Sequence, residues 1–136
     1  MRHLRKRHKL NRPQDQRKAL LRSLATELIM HEEIVTTLAK AKGLKPYAEK
    51  IISKAKKGDL HSRRQALRYI YDKNTDRLMD AESKKVITFE DIDENGKVKE
   101  TGARVMSETI LRKLFGPIAE QYQDRNGGYI RIYKLP

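Results

Sequence analysis

The stretch Arg17-Lys18-Ala19-Leu20-Leu21-Arg22-Ser23-Leu24-Ala25-Thr26-Glu27-Leu28-Ile29 decides how this chain folds. Leu20, Leu21, Leu24, Ala25, Leu28 and Ile29 recur at helical spacing and make one apolar face about four turns long. A face of that length must be buried against other elements, so the chain builds its core around this helix. Asn11 reads as its N-cap, and Pro13 suits its first turn. Arg17 lies along the apolar face at its N-terminal end, with Lys18 and Arg22 beside it, so the helix also carries positive charge on a rigid support.

Upstream of the helix stands Met1-Arg2-His3-Leu4-Arg5-Lys6-Arg7-His8-Lys9-Leu10-Asn11-Arg12, with no acid before Asp15. Its like charges repel, and two leucines offer too little apolar area to offset the loss of chain entropy. Residues 1–12 are therefore expected to be an extended basic arm that orders only on a polyanion, and residues 13–136 a single domain. The whole chain, with 31 Lys and Arg against 18 Asp and Glu, carries a net +13. Such a charge favours phosphate backbones or anionic surfaces without choosing a fold. There is no cysteine, which removes disulfides, thiolate zinc sites and a cysteine nucleophile. No apolar run approaches the ~20 residues of a membrane span, and no signal-peptide core follows the basic start. A cytoplasmic protein without a membrane partner is expected.

Downstream, the β-branched run Glu33-Ile34-Val35-Thr36-Thr37 predicts a strand. Thr36 or Thr37 then caps a second helix with Leu38, Ala41, Leu44, Ala48, Ile51, Ile52 and Ala55 inside. Pro46 predicts a kink or break in it. Gly58 ends that helix and Asp59 caps a third, with Leu60, Leu67, Ile70 and Tyr71 inward and Arg63, Arg64 and Arg68 outward. Residues 75–108 differ in character. They hold nine acids against six bases, a net of −3, so the remainder of the +13 chain carries +16. Val86–Phe89 and Lys97–Lys99 flank Asp93-Glu94-Asn95-Gly96, which predicts an inserted β-hairpin on a surface turned away from the polyanion. Helix resumes near Ser107, is interrupted at Gly116-Pro117 and continues to Tyr122. Asn126-Gly127-Gly128 then turns into a last strand, Tyr129–Lys134. Its alternation sets Tyr129, Arg131 and Tyr133 on one face, either to stack on bases and touch phosphate or to cover a sheet edge.

Catalytic and metal signatures fail on inspection. His31-Glu32-Glu33 opens like a zinc-hydrolase helix, but the second histidine would have to stand at Val35. Asp91-x-Asp93-x-Asn95-Gly96 matches half of a calcium loop, yet Gly102 occupies the position of the bidentate glutamate, and a hairpin turn explains the same letters. No glycine-rich phosphate loop or partnered serine occurs. No catalytic residue, metal site, cofactor or small-molecule substrate is expected.

Taken in order, several segments resemble the bacterial large-subunit ribosomal protein family numbered seventeen. They are Met1-Arg2-His3, Arg17-Lys18-Ala19, His31-Glu32, Ile34-Val35-Thr36-Thr37-Leu38-Ala39-Lys40-Ala41-Lys42, Ala55-Lys56, Arg63-Arg64, Leu114-Phe115 and Arg125-Asn126-Gly127-Gly128-Tyr129-Ile130-Arg131-Ile132. The resemblance covers nearly all of the chain outside 75–108. It implies an α+β fold in two layers, helices packed on one face of a small mixed sheet in the order α-β-α-α-α-β. It further implies a non-enzymatic role on large-subunit ribosomal RNA, near the outer end of the peptide exit tunnel and beside neighbouring ribosomal proteins. Residues expected to contact RNA are Arg2, His3, Arg5, Lys6, Arg7, Lys9 and Arg12 in the arm, Arg17, Lys18 and Arg22 on the first helix, Lys40 and Lys42, Arg63 and Arg64, and Tyr129 with Arg131. The rival is a general nucleic-acid-binding or DNA-compacting protein, which shares the charge but should not carry an acidic insertion. Two departures stand out: the family usually runs on past the Gly-Gly-Tyr segment into a further strand where this sequence has Leu135-Pro136, and Gly43 and Pro46 fall in a helix that is usually continuous.

Overall fold

The computed structural model describes residues 8–136. Helix α1, Gln14–His31, buries Ala25 and Ile29 and half-buries Leu21, Leu24 and Leu28 against the core. Pro13 stands at its N-cap position, and its carbonyl accepts the first helical bond from Arg17 N at 3.0 Å. Asn11, expected at the cap, lies instead in the preceding turn with φ 50°. The buried face includes one polar residue: Thr26 is fully buried, its hydroxyl donating to the Arg22 carbonyl (2.8 Å) and accepting from Tyr71 N (2.9 Å).

Helix α2, Leu38–Lys57, passes through Pro46 without a break. Proline in a helix interior costs about 3 kcal/mol, but here the buried Leu44, Ala48, Ile51, Ile52 and Ala55 hold one helical face on both sides of it. The helix ends at Gly58 with φ 70°, the left-handed C-cap that glycine adopts without strain. Helix α3, Leu60–Ala66, follows from Asp59 at its N-cap. Its inward residues are Ser62 and Ala66, followed by Ile70, whereas Leu60 is 64% exposed and Leu67 also faces solvent. The expected register was offset because small residues fit the close approach to α2 where leucines cannot.

The sheet is antiparallel, three-stranded, and built within the acidic segment: β1 (Asn74–Asp80) lies between β2 (Val86–Ile87) and β3 (Val105–Thr109). This corrects the expected mixed sheet and its α-β-α-α-α-β order. Glu33–Thr37 and Tyr129–Lys134 are not strands; they line one groove but exchange no backbone hydrogen bonds with each other among the described residues. Strand propensity needs a ladder partner to act on, and β1 finds its partners close by in sequence. The Asp93–Gly96 turn is present, with Asp93 N to Lys97 O at 2.7 Å, but it is flanked by a single bridge, Ile92 to Val98, rather than by the expected hairpin of Val86–Phe89 with Lys97–Lys99. Ser107, expected to begin a helix, belongs to β3. The Thr109 hydroxyl caps α4 (Ile110–Lys113), accepting from Arg112 N at 3.3 Å. At Gly116-Pro117 the helix widens into one π turn, Leu114–Ile118, before α5, Ala119–Gln121. That turn absorbs the missing proline donor without ending the helix.

Sheet and helical body meet at a buried ammonium. Lys113, only 1% exposed, donates from Nζ to the Met30 carbonyl at 2.8 Å and pairs with Glu32 Oε1 at 2.9 Å. Arg77 of β1 reaches the same oxygen at 3.3 Å. Glu32 closes α1 with φ 66°. The Lys113 hydrogen bond and charge, then Arg77, hold its carboxyl below the ordinary value of 4.5. A folded-state value below the unfolded one stabilises the protein above pH 4.5, and that contribution is lost as the pH falls through the folded value.

The two ends of this pair differ in exposure, so their substitutions should differ in cost. Glu32→Ala leaves a buried ammonium with one carbonyl and is expected to cost about 3 kcal/mol. Lys113→Met keeps the volume and leaves a carboxylate that is 59% exposed, so about 1 kcal/mol is expected. Urea unfolding at pH 7 measures both; equal costs, or the reverse order, would contradict this view of the junction.

Candidate nucleic-acid interface

The arm enters the described structure as a tight turn. Arg12 N donates to the Lys9 carbonyl at 3.2 Å, and both intervening residues, Leu10 (φ 55°) and Asn11 (φ 50°), are left-handed. Asparagine tolerates that conformation, whereas for leucine it costs about 1–2 kcal/mol. What holds it is α2. A Cβ placed on the buried Gly43 would stand 3.4 Å from His8 Cβ and 3.6 Å from Leu10 Cδ1, so the arm crosses the helix where there is no side chain. Gly43 thus has a packing role that its helix propensity would not suggest. Residues 8–12 are folded onto the body rather than extended. Arg2, His3, Arg5, Lys6 and Arg7 lie outside the described residues.

Lys9 and Arg12 are exposed at this crossing, and Lys42 is exposed beside Gly43. Lys18 is exposed on α1, while Arg17 and Lys40 are half-buried. A second basic zone lies on α3, where Arg63 and Arg64 are exposed and the Arg63 guanidinium sits 5.3 Å from the centre of the Phe115 ring. Lys54 of α2 hydrogen-bonds Gln65 of α3. At 1.5 Å per residue that point is about 16 Å along α2 from Gly43, so the zones are distinct and α2 is the spine between them.

Two of the expected RNA contacts have structural work of their own. Arg22 donates from Nε to the Ile70 carbonyl (3.0 Å) and from Nη2 to the Leu67 carbonyl (2.8 Å), with its guanidinium 4.1 Å from the Tyr71 ring centre. It ties α1 to the chain leaving α3, and sequence spacing alone does not distinguish that from a phosphate clamp. Tyr129 is buried. Its ring meets Tyr122 edge-on at 5.3 Å, its hydroxyl donates to the Arg125 carbonyl at 3.0 Å, and Lys56 donates to it at 3.1 Å. That Lys56 hydrogen bond is the first cause holding the phenol below its ordinary value. Gly127 (φ 92°) and Gly128 (φ 66°) turn the chain so that Tyr129 enters the core, leaving Arg131 and Tyr133 outside. The junction lysine, Lys113, carries no sequence signal beyond its position between Leu111 and Leu114.

The ion pairs sharpen the charge pattern. Among the described residues, Glu27 pairs with His31 and Lys73, and Glu32 with Arg77 and Lys113. Lys9, Arg12, Lys18, Lys42, Arg63, Arg64 and Arg131 have no carboxylate within salt-bridge distance among those residues. Both ion-paired acids lie toward the junction with the sheet, and none of these ion pairs involves the arm crossing, the α1 start or α3. The same residues contain no group of three histidines or acids placed to hold a metal ion, and no helix long and apolar enough to cross a membrane.

Two substitutions separate positioning from contact. Gly43→Leu should displace the arm from α2, weakening binding to large-subunit ribosomal RNA while thermal unfolding shifts little. Tyr129→Phe should lower the melting temperature without changing RNA affinity. An unchanged melting temperature together with lost affinity would make Tyr129 a contact residue instead.

Residues 20–136 match the family model described as Ribosomal protein L17. Proteins named large ribosomal subunit protein bL17 are similar along most of the chain. That of Caldanaerobacter subterraneus subsp. tengcongensis is 41% identical over 127 residues, covering 93% of this chain and 82% of the relative. Those of Listeria innocua and Pediococcus pentosaceus are each 44% identical over 126 residues, covering 93% of this chain and 84% and 83% of theirs. With similarity of this extent, the chain belongs to the ribosomal protein L17 family.

Proposed function

We propose that this protein is a structural constituent of the large ribosomal subunit in the cytoplasm, binding and stabilising large-subunit ribosomal RNA and performing no catalytic step. The observation that carries the reading is the partition of charge. Among the described residues the arm crossing at Gly43, the α1 start and the α3 face hold cations with no carboxylate in salt-bridge distance, whereas the two acids that form ion pairs, Glu27 and Glu32, do so toward the sheet junction. Residues 1–12 act as the arm, anchored on α2 through residues 8–12, and 13–136 as the body that carries it. Cations on a rigid body fix orientation, while those on the arm follow the phosphate backbone through narrow crevices. Neighbouring proteins of the same subunit are its expected protein partners.

The arm supplies six Lys and Arg residues: Arg2, Arg5, Lys6, Arg7, Lys9 and Arg12. At roughly −0.7 per neutralised phosphate of single-stranded RNA, they contribute about −4 to the slope of log affinity against log salt. Deleting residues 1–12 should therefore weaken binding to large-subunit ribosomal RNA and flatten the salt slope by about that amount. An unchanged affinity and slope would falsify the role given to the arm. Equal affinity for random duplex DNA at physiological salt would instead favour a general nucleic-acid binder.

A further inference from the structure

The acidic segment carries an aromatic side chain in a place that its own chain does not use. Phe89 is 81% exposed. It opens a one-turn 3-10 helix, Phe89–Asp91, closed by a capping box in which Asp91 Oδ2 accepts from Thr88 N (2.9 Å) and Thr88 Oγ1 (2.8 Å). Lys99 fastens the turn from outside: its N–H donates to the Asp91 carbonyl at 2.9 Å and its ammonium to the Glu90 carbonyl. The ring is thus presented on a braced backbone, which lowers the ordering cost of inserting it into a partner. Val86 and Met106, both paired across the sheet with Met79 and so on one face with it, also remain about half exposed. Residues 89–95 contain Glu90, Asp91, Asp93 and Glu94 and no base.

We infer that this tip is a docking site for a basic protein surface, with Phe89 as the apolar anchor and Glu90, Asp93 and Glu94 as the charged rim. An aromatic used to stack on nucleic acid is placed among cations that hold the phosphates; the exposed carboxylates of Glu90, Asp93 and Glu94 in the same short segment repel phosphate and attract Lys and Arg. Buried aromatic anchors ringed by complementary charge carry most of the energy in protein interfaces of this kind. In a chain whose remainder carries +16, the segment divides the molecule into an RNA side and a protein side. The source of the partner, a basic protein of the same particle, rests on the function proposed above.

The test uses the full chain assembled into large ribosomal subunits, with p-benzoylphenylalanine in place of Phe89. Irradiation should join position 89 to one Lys- and Arg-rich protein of the subunit. Adding Glu90→Lys, Asp93→Lys and Glu94→Lys should cut that product roughly tenfold while affinity of the chain for ribosomal RNA stays the same or rises. A product with RNA, a product with an acidic protein, no product from an assembled particle, or a yield indifferent to the three lysines would each overturn the inference. Failure of the chain to enter the subunit is a different result; it would count against the RNA reading and this inference together.

Discussion

The buried ammonium of Lys113 is the constraint on which the arrangement of the two halves depends. A charge removed from water must find oxygen ligands or destabilise the fold. Here they come from the end of one helix, the Met30 carbonyl, and from the residue that terminates it, Glu32. Because Glu32 also receives Arg77 from the central strand, three elements meet at one carboxylate. The left-handed backbone at Glu32 turns the chain out of α1 and leads it along the groove toward α2. Replacing the pair by apolar residues could preserve stability, but it would loosen the angle at which the sheet leaves the helices.

From that junction outward, the protein separates its charges by element. Helix α2 serves as the spine: the arm crosses it at Gly43 and α3 lies along its C-terminal half. Two basic zones, one at the crossing and one on α3, meet this helix at points about 16 Å apart along it and make a broader basic surface than the same charges on a tail. The acidic segment is placed between α3 and α4 in the chain and has a small buried set of its own in Met79, Val98 and Ala103, outside the main core cluster. Its capped turn, buried Asp80 and bridged loop make it an ordered module rather than a slack loop. The Asp80 carboxylate is bonded by Ser83, the Glu82 N–H and Thr101, and Ser83 first among these holds it below its ordinary value.

Much of this was legible in the residues. Helical periodicity found α1 and α2, Gly58 and Asp59 marked the boundary with α3, and the acid-rich composition of 75–108 set that segment apart. Strand positions were less legible. Ile34-Val35-Thr36-Thr37 and Tyr129–Lys134 have the composition of strands, but pairing is a property of two segments, and only β1 has its partners within short reach. The sheet therefore forms where the sequence pattern predicts a single hairpin. For the site, the exposed cations were readable from charge and spacing. Arg22 was not, because its carbonyl acceptors lie 45 and 48 residues away, and Tyr129 was not, because without a strand its ring leaves the side of Arg131 and Tyr133 and enters the core. Gly43 has its reason in the arm that crosses it, a contact that helix propensity does not encode.

On the function proposed above, the arm and helical body face RNA while the acidic module does not. This division is tested most directly by comparing lysine acetylation of the free protein with that of its complex with large-subunit ribosomal RNA. The account predicts protection of Lys9, Lys18 and Lys42, with Lys84 and Lys85 as reactive in the complex as in the free protein. Protection of Lys84 and Lys85, with Lys9, Lys18 and Lys42 left reactive, would contradict it.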